Sequence, residues 1–281
     1  MPELIEVEIY RQTATRVLGR CIAAVEIVDP FGLRHDPARR SPADVVAAIV
    51  GTSVVAARRH GKLLLLDLAR GADRSNPGGG VIGGPANVEV TLGLRFGMTG
   101  RLLVDGRAGI QELLYSSDRN DPIWDRFRVR FVGGGTLAVR DPRRLGTVEL
   151  DPNMAPCGVD ATALTLPELR RVLTSSSAAV KARLMDQHVV AGIGNLLADE
   201  ILWRAGIAPS FVASQIGPAR VRRLHHAVGE TLRELTERGG SHLGDVMEAR
   251  RPGGICPRDG TAMRVATIGG RTTWWCPKHQ R

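Results

Sequence analysis

Apolar residues Leu4, Val7, Tyr10, Ala14 and Val17 recur at helical spacing between Pro2 and Gly19, which predicts a first helix that starts on a proline and stops at a glycine. From Cys21 to about Val139 the period shortens. β-rich runs bounded by turn residues follow one another: Ile22 to Val28, Thr52 to Arg59, Lys62 to Leu68, Val88 to Leu94, Arg101 to Val104, Phe127 to Val132 and Thr136 to Val139. Such a series of short strands predicts a β-sandwich. The tract from Gly71 to Asn87 is too rich in glycine and proline to hold a strand and reads as a flexible loop. From Leu164 onward the period is helical again, with helices expected over Pro167 to Leu173, Ala178 to Asp186, Leu196 to Ala205, Ala219 to Gly239 and Leu243 to Arg250. A second, all-helical region therefore begins near Asp151. Ile268-Gly-Gly-Arg271-Thr-Thr-Trp-Trp275 places a Gly-Gly turn between β-branched and aromatic residues, the pattern of a β-hairpin with an arginine near its tip. The fold class is α+β.

Length and charge narrow the function. A chain of 281 residues accommodates two domains plus a short C-terminal module. Its 38 Lys and Arg are spread along the sequence and leave a formal charge of +9, which makes polyanions the natural partner. The four cysteines do not form a disulfide framework, so a reducing compartment is expected. No run reaches the ~18 uninterrupted apolar residues of a membrane span, and the basic-then-apolar pattern of a signal peptide is missing. A cytoplasmic protein with no membrane partner is expected, and nothing requires a dimer.

Two motifs carry chemistry. Cys256-Pro-Arg-Asp259 and Cys276-Pro-Lys-His279 have the spacing of a four-ligand zinc finger in which two thiolates are replaced. Zinc accepts sulfur, nitrogen and carboxylate oxygen in tetrahedral sites, so Cys256, Asp259, Cys276 and His279 form an admissible set for one structural ion. The same spacing also fits a metal-free hairpin with Asp259 and His279 solvated. The second motif is Val190-Ala-Gly192-Ile-Gly194-Asn195, directly before an amphipathic helix. Asn195 stands where a helix cap belongs, the glycines let another backbone approach, and free amides at a helix N-terminus bind phosphate. A plain capped connection between helices is the other reading.

Taken in order, these motifs resemble a known family. Met1-Pro-Glu-Leu-Ile-Glu-Val-Glu8, Lys62 after His60-Gly61, Gly97-Met-Thr-Gly100, Asp141-Pro-Arg-Arg-Leu-Gly146, Leu184-Met-Asp-Gln187 with Gly192-Ile-Gly-Asn195, and the cysteine motif ending in Gln280-Arg281 are similar, end to end, to the formamidopyrimidine-DNA glycosylase and endonuclease VIII family. The resemblance implies an N-terminal helix plus β-sandwich catalytic domain (1–140), a helix-two-turn-helix domain (141–250) and a C-terminal zinc-finger hairpin (251–281), with damaged double-stranded DNA in the cleft between domains. It implies a nucleoid-associated repair enzyme, both glycosylase and abasic-site lyase, that excises oxidised bases and nicks by β,δ-elimination without magnesium or a nucleotide cofactor. Met1 would be removed and the secondary amine of Pro2 would attack C1′. An α-amino group, with a reference pKa near ~8 against ~10.4 for lysine, is more often a free nucleophile at neutral pH. Glu3 resembles the general acid and base, Glu6 lies a turn on and orients the pair, and Lys62 resembles the strand lysine that reaches phosphate near C1′. Met98 and Arg143 match residues that fill the gap left by an extruded base. Lys181, Asn195 and Arg271 would grip phosphates around it.

The chain departs from the pattern at several points. Ile5 stands where the formamidopyrimidine branch usually has a second proline. Leu145 replaces an aromatic wedge, which keeps an apolar intercalator, loses stacking and implies a relaxed opposite-base preference. The segment from Gly239-Gly-Ser241 to Cys256 is shorter than in relatives with a long capping loop, which implies weak action on 8-oxoguanine. A non-catalytic binder of damaged or abasic DNA keeps the same residues and is the nearest alternative. A ribosomal or RNA-binding protein accounts for the charge but not for the Pro-Glu start or the Met98 and Arg143 pair.

Overall fold

In the computed structural model, which describes residues 2–33, 40–71, 88–110, 113 and 121–281, the alternating apolar runs become two antiparallel sheets. Helix α1 (Leu4–Ala14) leads into β1 (Ile22–Ile27), α2 (Pro42–Ile49), β2 (Ser53–His60), β3 (Leu63–Ala69), β4 (Val90–Arg95), β5 (Arg101–Val104), β6 (Arg107–Ala108), β7 (Asp125–Phe131), β8 (Thr136–Arg140) and β9 (Thr147–Leu150). One sheet has the order β1-β7-β8-β5-β6 and the other β2-β3-β4-β9. Residues two apart, such as Leu64, Leu66 and Leu68 on β3 and Phe127, Val129 and Phe131 on β7, point into one shared core. Val7, Tyr10 and Ala14 of α1 and Val45 and Ile49 of α2 join it. The expected sandwich is therefore present, each apolar side chain it hides contributing about 1.5–3 kcal/mol.

Helix α2, the two-residue strand β6 and strand β9 of this unit were not expected. Helix α2 begins with a capping box, Ser41 with Asp44, and a proline in its first turn, signals the sequence does carry. Strand β9 pairs with β4 from Leu92↔Leu150 to Arg95↔Thr147, so the sheet continues past the boundary at 140/141. One compact unit contains Pro2 with Glu6–Met154, the other Glu3–Ile5 with Ala155–Arg281. Residues 72–87, nearly all of the expected Gly71 to Asn87 loop, lie outside the described residues.

The second unit is built on helices α3 (Leu166–Thr174), α4 (Val180–Met185), α5 (Asn195–Ala205) and α6 (Pro218–Arg238). A two-residue parallel ladder joins β10 (Val159–Asp160) to β11 (Val190–Ala191). Val221, Leu224, Val228, Leu232 and Leu235 give α6 a buried stripe at spacings of three and four, and left-handed Gly239 ends it. The helix expected over Leu243 to Arg250 is instead two single 3₁₀ turns, Ser241–Leu243 and Met247–Ala249. Leu243 is exposed, and the two turns are drawn onto α5 by Glu200, whose carboxylate accepts from the N–H groups of Asp245 and Val246. The closing hairpin, β12 (Arg264–Ile268) and β13 (Arg271–Trp275), turns at Gly269 and Gly270, both in the left-handed region.

Candidate active site and metal centre

In the sandwich unit the expected site residues ride on turns that other side chains hold in place. Pro2 is buried just ahead of α1. Glu6 is buried one turn on; burial, and after it the Glu6 charge, push the Tyr10 hydroxyl above its ordinary range. That hydroxyl donates to the Gly100 carbonyl at 3.1 Å and so ties the turn carrying Met98 to α1. Lys62 occupies the turn between β2 and β3. Arg59 bridges the Glu8 carboxylate of α1 (3.2 Å) and the Gly61 carbonyl (3.1 Å), which fixes this turn to the same helix.

Asp141 organises the loop that presents Arg143 and Leu145. Its carboxylate accepts from the N–H of Arg143 (3.2 Å), Leu145 (2.7 Å) and Gly146 (2.7 Å), and from the Thr99 hydroxyl. Arg144 is held in a left-handed conformation and locked by a bidentate pair with Asp29. Arg143 is thereby turned outward, without a side-chain partner among the described residues, and Leu145 is 38% exposed. The turns touch: a Cβ on Gly97, which is left-handed, would sit 2.6 Å from Leu145. Met98, Arg143 and Leu145 thus belong to one paired set of turns.

In the second unit the N-terminus of α5 is already occupied. The Glu3 carboxylate accepts from the backbone N–H of Gly194 (2.9 Å), Leu196 (2.9 Å) and Leu197 (3.1 Å), and the Leu4 N–H donates to the Gly192 carbonyl at 3.2 Å. This is an anion held at a helix N-terminus, with the protein's own carboxylate in place of the expected phosphate. Gly194 is required there, since a Cβ would lie 2.2 Å from that carboxylate. Asn195 is not the cap either: Gly194 holds the cap position and makes no side-chain bond. The Asn195 side chain accepts from Lys181 Nζ at 2.7 Å and donates to the Thr272 carbonyl at 3.1 Å.

Lys181 differs most from its expected role. It is 0% exposed, with Nζ 2.6 Å from Asp199 Oδ1 and 2.7 Å from Thr273 Oγ1 as well as bonded to Asn195. The other Asp199 oxygen takes Arg250 Nε and Nη2 at 3.0 and 2.9 Å. Burial pulls the Lys181 ammonium below its usual range while Asp199 works against that. A lysine so enclosed joins α4, α5 and β13 and has no face for a phosphate. Arg271, by contrast, is exposed at the first residue of β13, and among the described residues its guanidinium donates only to the carbonyl of Gly270.

Cys256, Asp259, Cys276 and His279 converge, their ligand atoms all within 4.8 Å of one another. A tetrahedral zinc with bonds of about 2.0–2.3 Å has ligand-to-ligand edges of about 3.3–3.8 Å. Here His279 Nδ1 is 3.3 Å from Asp259 Oδ2 and 3.7 Å from Cys256 Sγ, and Cys276 Sγ is 3.4 Å from Asp259 Oδ2. The donor set and these three spacings fit the ion. His279 Nε2 lies 3.2 Å from the Trp203 carbonyl, which only accepts, so Nε2 carries the hydrogen and Nδ1 faces the cluster. The Trp203 indole N–H donates to Cys256 Sγ at 3.3 Å. Led by the Thr261 backbone N–H, the surrounding donors hold the Asp259 carboxyl well below the usual carboxylate range, and burial pushes the Cys276 thiol up.

Residues 1–148 match the formamidopyrimidine-DNA glycosylase N-terminal domain and residues 156–246 the formamidopyrimidine-DNA glycosylase H2TH domain. The chain belongs to the formamidopyrimidine-DNA glycosylase family. It is 33% identical to the formamidopyrimidine-DNA glycosylase of Acidovorax ebreus (strain TPSY) and 34% identical to that of Aromatoleum aromaticum, with all of each chain covered. Its fold superimposes on the Lactococcus lactis formamidopyrimidine-DNA glycosylase with a TM-score of 0.78 at 25% identity, again over the whole of both chains. As a formamidopyrimidine-DNA glycosylase family member it is an enzyme, a DNA glycosylase.

Within this glycosylase the residues that sequence reasoning missed are those that position others. Asp141 had a signal, since an aspartate ahead of a proline turn commonly accepts from amides a few residues on. Asp199 had one too: a carboxylate on the buried side of a helix must be paired. The hold of Glu3 on residue 194 spans 191 positions and had none.

Proposed function

We propose that this glycosylase excises oxidised bases from double-stranded DNA as a monomer and then nicks the abasic strand, with the Pro2 nitrogen as nucleophile once Met1 is removed. The amine lone pair forms a bond to C1′ while the glycosidic bond breaks and its electron pair leaves with the base. Sugar-ring opening gives an iminium; loss of a C2′ proton expels the 3′ phosphate, a second elimination expels the 5′ phosphate, and water frees the amine. Glu3 receives and returns the protons. The observation that carries this reading is the fixing of the Glu3 carboxylate by three backbone N–H groups, one residue from the nucleophile. A fixed acceptor there needs no reorganisation when the proton moves.

Structures of the Lactococcus lactis enzyme hold DNA with an abasic site. Carried over to this chain, Met98, Arg143 and Leu145 fill the space of the extruded nucleotide, Asn195 and Arg271 take phosphates, and Lys62 reaches the lesion. Lys181 then serves by holding Asn195, and Leu145, without an aromatic face, relaxes the opposite-base requirement. Cys256, Asp259, Cys276 and His279 would hold one zinc ion, whose chemistry is to lock the hairpin and not to enter the reaction. Purified protein is expected to carry about one equivalent of zinc; a value near zero would favour the metal-free hairpin.

Borohydride trapping on duplexes with an abasic site, a formamidopyrimidine, 8-oxoguanine or an oxidised pyrimidine tests the mechanism. A covalent adduct lost in Pro2→Gly is expected, weakest on 8-oxoguanine among the base lesions. Tight binding to the abasic duplex with no adduct on any substrate would instead assign a non-catalytic damage binder.

A further inference from the structure

Between α3, along its whole length, and the N-terminal end of α6 lies a groove of about 450 Å³ that the glycosylase reading does not use. Leu166, Pro218 and Val221 line it with apolar surface, and Arg170, Arg171 and Arg222 stand along it, all three exposed. None of these guanidiniums has an ion-pair or hydrogen-bond partner among the described residues. The nearest acid in the sequence, Glu168, is engaged: its carboxylate accepts from both the N–H and the hydroxyl of Thr165 in the capping box of α3.

The placement of charge on α6 runs against the physics of the helix. Cations at a helix N-terminus oppose its dipole, and α2 and α3 obey the rule with an acid at the third helical position. Helix α6 begins with Arg220, Arg222 and Arg223 and has no acid before Glu230. Arg220 is taken up by stacking on Phe211, 4.8 Å from the ring centre, and Arg223 reaches toward the Ala205 carbonyl at 3.5 Å. Arg222 is left for the groove. Three exposed arginines around an apolar trough, one of them, Arg222, on a helix end that disfavours it, fit an outside partner with both negative charge and hydrocarbon.

We propose that this groove docks a short acidic segment of another protein, its carboxylates on Arg170, Arg171 and Arg222 and an aliphatic or aromatic side chain in the trough. A phosphodiester backbone supplies the charge but nothing to cover the apolar lining, so nucleic acid is the poorer match. The groove shares no residue with those assigned to catalysis, DNA or metal, and the proposal stands independently of that reading.

The test is fluorescence anisotropy with the full chain and labelled ten-residue peptides in which Asp and Glu alternate with Leu or Phe. The same peptides with serine at the apolar positions, and a single-stranded oligonucleotide of equal charge, are the comparison probes. The acidic apolar peptides are expected to bind saturably and roughly tenfold or more tighter than the serine ones, since one buried apolar side chain is worth about that. Charge reversal at all three arginines (R170E, R171E and R222E together) should abolish binding while cleavage of damaged duplex is unchanged, which also shows that the variant is folded. Equal affinity for the serine peptides, tighter binding of the oligonucleotide, no saturable binding of any acidic apolar peptide, or binding that survives the reversal would each overturn the proposal.

Discussion

Asp141 and Asp199 are both buried aspartates at the centre of a motif, and they do opposite things. Asp141 accepts from the backbone N–H groups of its own loop and leaves the side chains of Arg143 and Leu145 outside. Asp199 accepts from the side chains of Lys181 and Arg250 and takes two cations out of use. A carboxylate that binds backbone shapes a presenting surface; one that binds side-chain charge builds an internal joint. Conserving charge type in a motif therefore says little about which charges face a ligand until the partner of each carboxylate is known.

That contrast predicts unequal losses. Asp199→Ala strands two buried cations, and the second unit should lose about 3–5 kcal/mol in urea unfolding, with duplex binding failing only as that unit unfolds. Asp141→Ala should cost about 1–3 kcal/mol and weaken binding to an abasic duplex while the protein is still fully folded. Equal stability losses, or an Asp141→Ala protein with undiminished affinity, would erase the distinction. Salt titration sharpens it further. Arg271→Ala should make the dependence of log affinity on log salt shallower by about 0.9, one phosphate contact, while Lys181→Met leaves the slope as it was. A shallower slope for Lys181→Met would return that lysine to the DNA surface.

The smallest effect concerns Glu8, a third carboxylate that binds side chains, but at the surface. Burial raises its pKa, yet hydrogen bonds from Arg11 and Arg59 outweigh that and hold it below 4.5. A carboxyl lowered on folding contributes stability above its unfolded value and loses it as pH falls through the folded one. Glu8→Gln should thus flatten the acid limb of the stability curve below about pH 4.5 and cost under about 1 kcal/mol at neutral pH. An acid limb identical to that of the unchanged protein would remove Glu8 from the account.

The sequence made periodic elements readable and long-range ties unreadable. The β runs and α6 declared themselves because burial on one face leaves a period in the residues. The set Cys256, Asp259, Cys276 and His279 was legible because its ligands come in closely spaced pairs. Strand β9, four residues after a turn, is too short to show a period. The occupant of the α5 N-terminus was misjudged because free amides and a glycine turn look the same whether the incoming anion is a phosphate or the carboxylate of Glu3. Lys181 was misjudged because charge alone does not reveal burial; the acid four residues after Asn195 was the clue.

The grip of residues 194–197 on Glu3 also bears on how the protein is made. Synthesis produces Glu3 among the first residues, but the amides that fix it emerge about 190 residues later, which at about 5–20 residues per second leaves an interval of roughly ten seconds or more. Throughout that interval the segment beside Pro2 lacks its anchor, however well the sandwich has already folded. The anchoring of Glu3 is thus completed only after α5 has emerged, and a truncated chain that stops before α5 carries Pro2 and Glu3 without the amides that fix the Glu3 carboxylate.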